Sequence, residues 1–298
     1  MMSKPCWVCH SVDTRLIRQT GVGRAISAAD VKITNKDYGL TVPLRQCQNC
    51  GFVFADTLML ATNSVPELYS EMVDQAYIDT LPARALEMQE ILRVGLRQHP
   101  RAKTILDVGA GAGLLVHAAQ QQGLTTTGIE PSRWLIEQAA RLMGVALVHG
   151  TLPHPSLEGH QFDLVFAIDV IEHVDDPIAL LTRIKNHLQD DGVAVISTPD
   201  RDSVAARILG SRWWHYRIAH IGYFNRKSLH TAARQSGFKI SSLSGQTWYF
   251  PVSYLVERVF TYAPRLVPRR RGIGLGRLGK LTIPVNLRDH LVAVLRKI

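Results

Sequence analysis

Short apolar runs alternate with segments of helical periodicity from Lys103 onward, and this alternation constrains the fold more than any other feature. The pattern predicts strands at residues 104–108, 125–130, 145–149, 162–169 and 193–198, with helices at 114–122, 132–143 and 177–188 between them. The last of these strands is apolar throughout, as expected for a strand that is covered on both faces. Alternating strands and helices build a parallel, doubly wound sheet, so we predict an α/β fold with a Rossmann-like sheet.

The region after residue 200 continues the pattern with a predicted helix at 225–236 and a strand at 238–243. Residues 289–296 fit a helix or a strand, and we favour a last strand that returns to the sheet. Residues 246–288 would then be an insertion, with an apolar helical element at Tyr249, Phe250 and 254–260, followed by an arginine run and a glycine-rich stretch.

The charge of the chain is concentrated in that insertion. The formal net charge is +9, and residues 246–288 hold eight basic residues and one acidic residue. A local excess of positive charge favours an anionic partner, such as phospholipid, a pyrophosphate-linked substrate or nucleic acid. A solvated loop is the alternative interpretation.

A glycine-rich loop, with the sequence LDVGAGAG at residues 106–113, follows the first predicted strand and opens a helix. Glycines let the chain turn sharply and let a ligand approach without a Cβ in the way. Dinucleotide-binding loops have the spacing G-x-G-x-x-G and hold a pyrophosphate at the helix N-terminus. Here Gly109, Gly111 and Gly113 give G-x-G-x-G, and Asp107 stands just before the turn. A carboxylate there suits a cation better than a phosphate, and S-adenosylmethionine (SAM) carries an ammonium and a sulfonium but no phosphate.

Two further features follow the loop in order. Glu130 ends the second strand, where an acidic side chain can accept hydrogen bonds from both hydroxyls of a ribose. Residues 162–177, FDLVFAIDVIEHVDDP, closely resemble the segment around strand four of class I SAM-dependent methyltransferases. With the glycine loop, the resemblance covers about residues 100–245.

This resemblance implies a seven-stranded sheet with an antiparallel last strand, and SAM bound over the carboxyl ends of the strands. The SAM-binding residues that it implies are Asp107, Gly109, Gly111, Gly113, Glu130, Thr151, Leu152 and Asp169. Among them, Glu130 would hold the ribose, while Thr151 and Leu152 would lie near the adenine. A different Rossmann-like nucleotide-binding protein is the alternative.

Asp169, Glu172 and His173 are the candidate catalytic residues. Their spacing of i, i+3 and i+4 would place them on one face of a helical turn at the mouth of the SAM site. Methyl transfer from a sulfonium has a neutral leaving group, so the enzyme mainly aligns the nucleophile. A hydroxyl nucleophile must also lose its proton, and His173 can act as the general base with Glu172 orienting it.

The same triplet resembles the acidic-x-x-Glu-His metal site of ubiquinone-pathway O-methyltransferases. That resemblance implies a second divalent ion at Asp169, Glu172 and His173, although Asp stands where the family usually has Glu. In a third interpretation, the Glu-His pair only shapes the turn.

The acceptor pocket is predicted after strand five, where the family builds it, with Trp213, Trp214 and His220 as its residues. Residues 220–225 resemble a His-x-x-x-Phe-Ser/Asn stretch that is common in the family. Aromatic side chains can stack on a sugar or another ring. Core packing and a membrane-interface belt are the alternatives.

All four cysteines lie in two Cys-x-x-Cys pairs, Cys6 with Cys9 and Cys47 with Cys50. Four thiolates make a closed tetrahedral site, which predicts a structural zinc ion; disulfides and a redox role are the alternatives. The arrangement resembles the N-terminal zinc modules of bacterial sugar C-methyltransferases and, less closely, zinc-bearing 23S rRNA guanine methyltransferases.

The predicted domains are a zinc-ribbon-like module at residues 1–60, a helical linker or lid at 61–100 and the methyltransferase domain at 101–298. The linker is predicted as two helices broken at Pro82. No apolar run approaches the roughly 18 residues that span a bilayer, and the first ten residues lack the apolar region of a signal peptide. These features predict a cytoplasmic protein.

The predicted function is methyl transfer from SAM to a small-molecule, sugar or lipid-linked acceptor, at oxygen. The basic and apolar insertion would give peripheral contact with an anionic membrane. An RNA methyltransferase is the alternative that zinc and basic charge favour, but the chain has no Asn/Asp-Pro-Pro-Tyr-type motif and no familiar RNA-binding signature. A SAM-binding protein without turnover agrees less well with the intact glycine loop, Glu130 and the Glu-His pair.

Overall fold

The computed structural model of the protein describes residues 4–19, 26–35, 37–56, 65–256 and 281–298. Its strands are β1 (Thr14–Arg18), β2 (Leu44–Cys47), β3 (Val53–Ala55), β4 (Thr104–Val108), β5 (Thr125–Glu130), β6 (Val148–His149), β7 (Phe162–Ile168), β8 (Leu188–Pro199), β9 (Gly222–Tyr223), β10 (Phe238–Ser244), β11 (Trp248–Pro251), β12 (Thr282–Val285) and β13 (His290–Lys297). Its α-helices are α1 (Val65–Ser70), α2 (Gln75–Ile78), α3 (Leu81–Gln98), α4 (Leu114–Gln120), α5 (Arg133–Gln138), α6 (Pro177–Asn186), α7 (Val204–Leu209) and α8 (Arg226–Gln235).

A seven-stranded sheet with the order β10-β13-β8-β7-β4-β5-β6 forms the centre of the described fold. Neighbouring strands from β8 to β6 are parallel, while β13 is antiparallel to both β8 and β10. The predicted α/β class, the seven strands and the returning last strand are therefore confirmed. The register of β13 places His290 opposite Pro199, at the carboxyl end of β8.

Helices cover this sheet on both faces. On one face, Ile91 of α3 packs in a cluster with Ile105 of β4 and Phe166 of β7. On the other face, Leu181 of α6 packs with Leu106 of β4. Successive side chains of a strand point to opposite faces, which is why the apolar β4 serves both clusters.

A smaller antiparallel sheet has the order β1-β2-β3-β9 and contains the two cysteine pairs at its turns. Its fourth strand, β9, comes from the segment after β8 and pairs with β3. The ring of Phe52 lies 4.6 Å from that of Phe224, centroid to centroid. The N-terminal sheet is thus completed by a strand of the region predicted as the methyltransferase domain.

Two local predictions were wrong. Pro82 does not break a helix but lies in the first turn of α3, where its missing N–H costs no helical hydrogen bond. Tyr249 and Phe250 lie in β11, which pairs with β12, and helical structure begins only at residue 252. Aromatic residues favour strands when a partner strand is available. The rest of that predicted helix, the arginine run and the glycine-rich stretch lie outside the described residues.

Within the described residues, no helix combines the length and the apolar character that crossing a bilayer requires.

Candidate active site

A cavity of about 420 Å³ opens at the carboxyl ends of β4, β5 and β7. It brings together most of the residues that the sequence predicted for the site. Those that line it are Asp107, Gly109, Gly111, Glu130, Thr151, Leu152, Asp169, Glu172, His173 and His220. The carboxyl ends of parallel strands are where open α/β sheets bind ligands.

The glycine loop is held by Glu130, whose carboxylate accepts hydrogen bonds from the amides of Gly111 (2.8 Å) and Ser132 (2.9 Å). Burial raises the pKa of Glu130 to about 7, although these two hydrogen bonds act to lower it. Burial, and then repulsion by Glu130, raise the pKa of Asp107 to about 7 as well. Two carboxylates that are costly to bury as anions favour a cationic ligand beside them.

Gly109 and Gly113 are needed for different reasons. Gly109 has φ +74°, and a Cβ there would lie 2.6 Å from Cγ2 of Val170. Gly113 has φ +75° at the start of α4, and its Cβ would lie 3.1 Å from Val145. Gly113 does not line the described cavity, so its part is to let the loop enter the helix.

The predicted adenine contacts, Thr151 and Leu152, follow the short strand β6. Leu152 is buried, and its carbonyl oxygen accepts a 2.9 Å hydrogen bond from Nη1 of Arg183. This hydrogen bond fixes the backbone at this wall of the cavity.

The turn after β7 differs from the prediction of one shared helical face. Ile171–His173 form a 3-10 turn, and Asp169 has a left-handed backbone with φ +56°. The Asp169 carboxylate accepts a 2.6 Å hydrogen bond from the Ser197 hydroxyl and lies 3.3 Å from Nε2 of His290. Asp169 is thus paired with Ser197 and His290 and not with the Glu172–His173 pair. Instead, ligand atoms of Glu172, His173 and His220 lie within 4.8 Å of one another.

His173 has a defined tautomer. Its Nδ1 lies 2.8 Å from the carbonyl oxygen of Ala219, which can only accept a hydrogen bond, so Nδ1 carries the proton and Nε2 the lone pair. Burial lowers the pKa of His173 to about 4. The imidazole is therefore neutral at pH 7 and able to accept a proton.

Glu172 and His220 are buried without hydrogen-bond partners for part of their polar atoms. Both carboxylate oxygens of Glu172 and Nδ1 of His220 lack a partner among the described residues. Burial, and then the charge of Asp169, raise the pKa of Glu172 to about 8. Burial lowers the pKa of His220 well below its usual range. Orphaned buried polar groups beside a cavity indicate a ligand or ion that would satisfy them.

Two of the predicted acceptor residues do not line the described cavity. Trp213 is fully buried and packs edge-on against Tyr216, with centroids 5.4 Å apart. Trp214 donates a 2.9 Å hydrogen bond from Nε1 to Asp289. Trp213 therefore serves packing, while Trp214 is fixed through its one donor. His220 does line the cavity, as predicted.

Arg84 is a cavity residue that sequence reasoning missed. Its guanidinium lies 5.0 Å from the ring centroid of Tyr77, and its Nε donates a 3.0 Å hydrogen bond to Thr80. The sequence held one sign of this placement. Arg84 lies three residues after Leu81 and four before Met88, a spacing that puts it on the same face of α3 as these apolar residues.

The segment before β2 was also missed as a cavity wall. Val31, Lys32 and Ile33 line the cavity. Nη2 of Arg217 donates to the carbonyl oxygens of Lys32 and Ile33, at 2.8 Å each, and holds the segment there. Nothing in the local sequence pattern indicates this contact, which joins residues far apart in the chain.

The four cysteines, which we call the cysteine cluster, form one group. Sγ of Cys6 lies 3.6 Å from that of Cys50, and Sγ of Cys9 lies 3.4 Å from that of Cys47. Four thiolates around a tetrahedral zinc, each about 2.3 Å from it, lie roughly 3.8 Å apart. All four cysteines are free thiols in the structure, and their spacing fits a metal ion.

Comparison with known proteins agrees with this architecture. The family model Methyltransf_23, described as a methyltransferase domain, matches residues 79–243, more than half of the 298 residues. The ubiquinone biosynthesis O-methyltransferase of Azorhizobium caulinodans is 30% identical over 156 residues, covering 48% of this chain and 62% of that protein. The enzyme of the same name from Xanthomonas axonopodis is 27% identical over 185 residues, covering 56% and 75%. The chain spans about half of the length of other curated relatives, such as 47% of the one from Dinoroseobacter shibae.

Solved structures show the fold. A SAM-dependent methyltransferase from Clostridium acetobutylicum has a TM-score of 0.50 at 11% identity, with 74% of this chain and 97% of that chain covered. The plantazolicin methyltransferase BpumL, solved with S-adenosylhomocysteine, has a TM-score of 0.50 at 17% identity, with 74% and 86% covered. The chain therefore belongs to the Methyltransf_23 family of methyltransferase domains and has the class I fold of SAM-dependent methyltransferases.

Proposed function

We propose that the protein is a SAM-dependent O-methyltransferase that acts on a small-molecule acceptor. One observation carries the proposal. One cavity is lined by two buried carboxylates at the glycine loop and by a neutral histidine of fixed tautomer in the turn after β7. The carboxylates suit the cationic donor, and the histidine suits a hydroxyl acceptor.

The donor end is the part around Asp107 and Glu130. Asp107 and the amides of the glycine loop would meet the methionine ammonium, and Glu130 has lone pairs left for the ribose hydroxyls. Thr151 and Leu152 would border the adenine, and Arg84 offers a cation for the methionine carboxylate. SAM supplies a methyl group on a sulfonium, which departs as a neutral thioether.

The acceptor end is the part around His173. Its Nε2 would take the proton of the acceptor hydroxyl, and the Ala219 carbonyl oxygen would stabilise the imidazolium that forms. Glu172 lies beside it and, with its pKa raised to about 8, would be protonated at pH 7 and would offer a hydrogen-bond donor to the acceptor. Relatives named ubiquinone biosynthesis O-methyltransferase support oxygen as the methylated atom.

A direct test uses SAM labelled in the methyl group with a panel of phenols and sugars that carry free hydroxyls. We expect transfer to a hydroxyl by the natural chain and a loss of about 10²–10⁴-fold in the His173→Gln variant. His230→Gln is the matched control, because His230 is exposed on α8. Equal rates for both variants would rule out His173 as the base.

A second chemistry for the same reaction is favoured by the orphaned atoms of Glu172 and His220. With His173, they would hold a divalent ion whose positive charge lowers the pKa of the acceptor hydroxyl. Asp169 would not be a ligand, because it is paired with His290. This mechanism predicts that the natural chain binds Mn²⁺ and that His220→Ala and Glu172→Gln do not. Full activity of the natural chain after treatment with a chelator would contradict it.

For the cysteine cluster we propose a structural zinc ion. All four ligand positions would be filled by thiolates, so no position remains for water or substrate.

Peripheral contact with anionic membranes is a separate proposal that rests on the basic charge of residues 246–288. Much of that segment lies outside the described residues. Co-sedimentation with phosphatidylglycerol vesicles tests it, with phosphatidylcholine vesicles as the control. Equal recovery with both lipids would contradict it.

A further inference from the structure

A group of charged residues lies beside the cavity where β13 begins. Asp289 and His290 each have only 1% of their side chain exposed. Neither residue was predicted from the sequence to have a role. Together with Asp169 and His215, they form a continuous series of contacts, which we call the β13 network.

On the side of the methyl donor SAM, the β13 network ends at Asp169. Nε2 of His290 lies 3.3 Å from Oδ1 of Asp169, and the same oxygen accepts the 2.6 Å hydrogen bond from Ser197. The amide of Asp169 lies 3.2 Å from the Ser197 carbonyl oxygen and donates to it. The left-handed turn that carries Asp169 into the cavity is therefore fixed from β8 and from β13.

On the side of the methyl acceptor, the β13 network ends at Asp289 and its partners. Its Oδ2 accepts the hydrogen bond from Trp214 and lies 3.3 Å from Nε2 of His215, which lines the cavity. Its Oδ1 lies 3.9 Å from Nδ1 of His290. Asp289 thereby fastens the segment that follows α7 to the start of the last strand.

His290 is the cation between these two carboxylates. Burial alone would lower the pKa of His290, but attraction to Asp169 and Asp289 outweighs burial and raises it to about 10. Without the imidazolium, the carboxylates of Asp289, which is buried, and Asp169, which is partly buried, would lie near each other without a cation between them. The charge of Asp169 also acts on Glu172 and Glu87. The ring of Trp248 packs edge-on against His290 at 4.7 Å and keeps water from it.

We propose that His290 is a positioning residue: a single buried cation that holds Asp169 at the donor end and, through Asp289, the Trp214–His215 segment at the acceptor end. The inference rests on the proposed function, because it concerns the arrangement of that site. It gives β13 a part in the active site and explains why Asp169 is not available to the Glu172–His173 pair.

The test replaces the cation and then restores the charge balance. His290→Gln leaves the buried Asp289 and the partly buried Asp169 without their cation, while His290→Gln with Asp289→Asn has the same net charge as the natural network. We expect the single variant to weaken SAM binding at least about tenfold in calorimetry and to lower the unfolding midpoint. We expect the double variant to recover to within about threefold. His230→Gln is the matched exposed control.

A role in packing alone would show no recovery, because the double variant lacks both natural side chains. A double variant that is no more stable and no better at binding than His290→Gln therefore overturns the inference. So does a single variant that behaves like His230→Gln, or a divalent ion that the natural chain binds through His215, Asp289 and His290. Failure of the natural chain to bind SAM would instead contradict the proposed function, while the unfolding midpoints would still report on His290.

Discussion

The amide of Ile221 donates a 2.9 Å hydrogen bond to the carbonyl oxygen of Glu172. The carbonyl oxygen of Ile221 accepts a 2.8 Å hydrogen bond from the amide of Ala55, at the end of β3. Ile221 therefore connects the small sheet, with the cysteine cluster at its turns, to the turn that carries the Glu172–His173 pair. We therefore expect that loosening the N-terminal sheet also disturbs the acceptor end of the cavity.

Loss of the cysteine cluster should reduce methyl transfer more than SAM binding. Replacing Cys47 and Cys50 with serine removes two of the four thiolates and should loosen the β2–β3 turn. We expect a lower unfolding midpoint, at least about tenfold slower transfer, and a SAM dissociation constant within about threefold of the natural value. Metal analysis should find one zinc per natural chain and none in the variant. Unchanged transfer by a zinc-free variant would contradict the coupling.

Substitutions at Gly109 and Gly123 distinguish the effect of backbone strain from the effect of a contact beside the cavity. Both have positive φ, +74° and +77°, but an added Cβ meets Val170 at Gly109 and nothing within 4 Å at Gly123. We expect Gly123→Ala to cost about 1–2 kcal/mol of unfolding free energy and to bind SAM normally. Gly109→Ala should carry the same backbone strain, add the clash with Val170 and also lose SAM affinity. Calorimetry with SAM checks both, and equal affinities would show that the loop does not bind the donor.

The strands of the large sheet, and the grouping of the glycine loop, Asp107 and Glu130 around one cavity, could be predicted because their signals are local. Apolar periodicity marks strands and helices, and the glycine loop, Asp107 and Glu130 lie within two strand–helix units. Parallel connectivity then places these groups at one edge of the sheet. The apolar run at residues 289–296 fits a helix or a strand, and the returning strand that we favoured is the one observed.

The acceptor end could not be predicted in the same way. Asp169 meets His290, and Arg217 meets Lys32, across long stretches of chain with no shared local pattern. The strand at Trp248 depends on pairing with β12, which lies beyond the insertion. Trp213 and Trp214 follow strand five as expected, but tertiary packing turns both rings into structural contacts.

His173 should remain a competent base in mildly acidic solution. Its pKa is lowered from 6.5 to about 4, so it stays neutral, and able to accept a proton, until the pH falls towards 4. We expect kcat/KM for transfer to stay level from pH 8 down to about pH 5. Initial rates over this range check it, with circular dichroism to confirm that the chain stays folded. A fall in rate centred near pH 6.5 would assign the proton transfer to a histidine with an ordinary pKa.

The ion pairs of His290 should stabilise the fold more in acid than in base. The pKa of His290 is raised from 6.5 to about 10, so its contribution is fully present below pH 6.5 and is lost as the pH rises to 10. We expect the natural chain to exceed His290→Gln by about 3–5 kcal/mol in unfolding free energy at pH 6, and by less at pH 10. Urea unfolding at both pH values measures this difference. A gap that widens with pH would have the wrong sign for a buried cation.

The central claim is that the cavity binds SAM through the carboxylates at its glycine loop. Isothermal titration calorimetry with SAM tests it most directly, on the natural chain, on Asp107→Asn and on Asp190→Asn as a control for an exposed carboxylate. We expect one SAM per natural chain, an affinity at least about tenfold weaker in Asp107→Asn, and no change in Asp190→Asn. A natural chain that binds no SAM, or an Asp107→Asn variant that binds it equally well, would rule out this mode of binding.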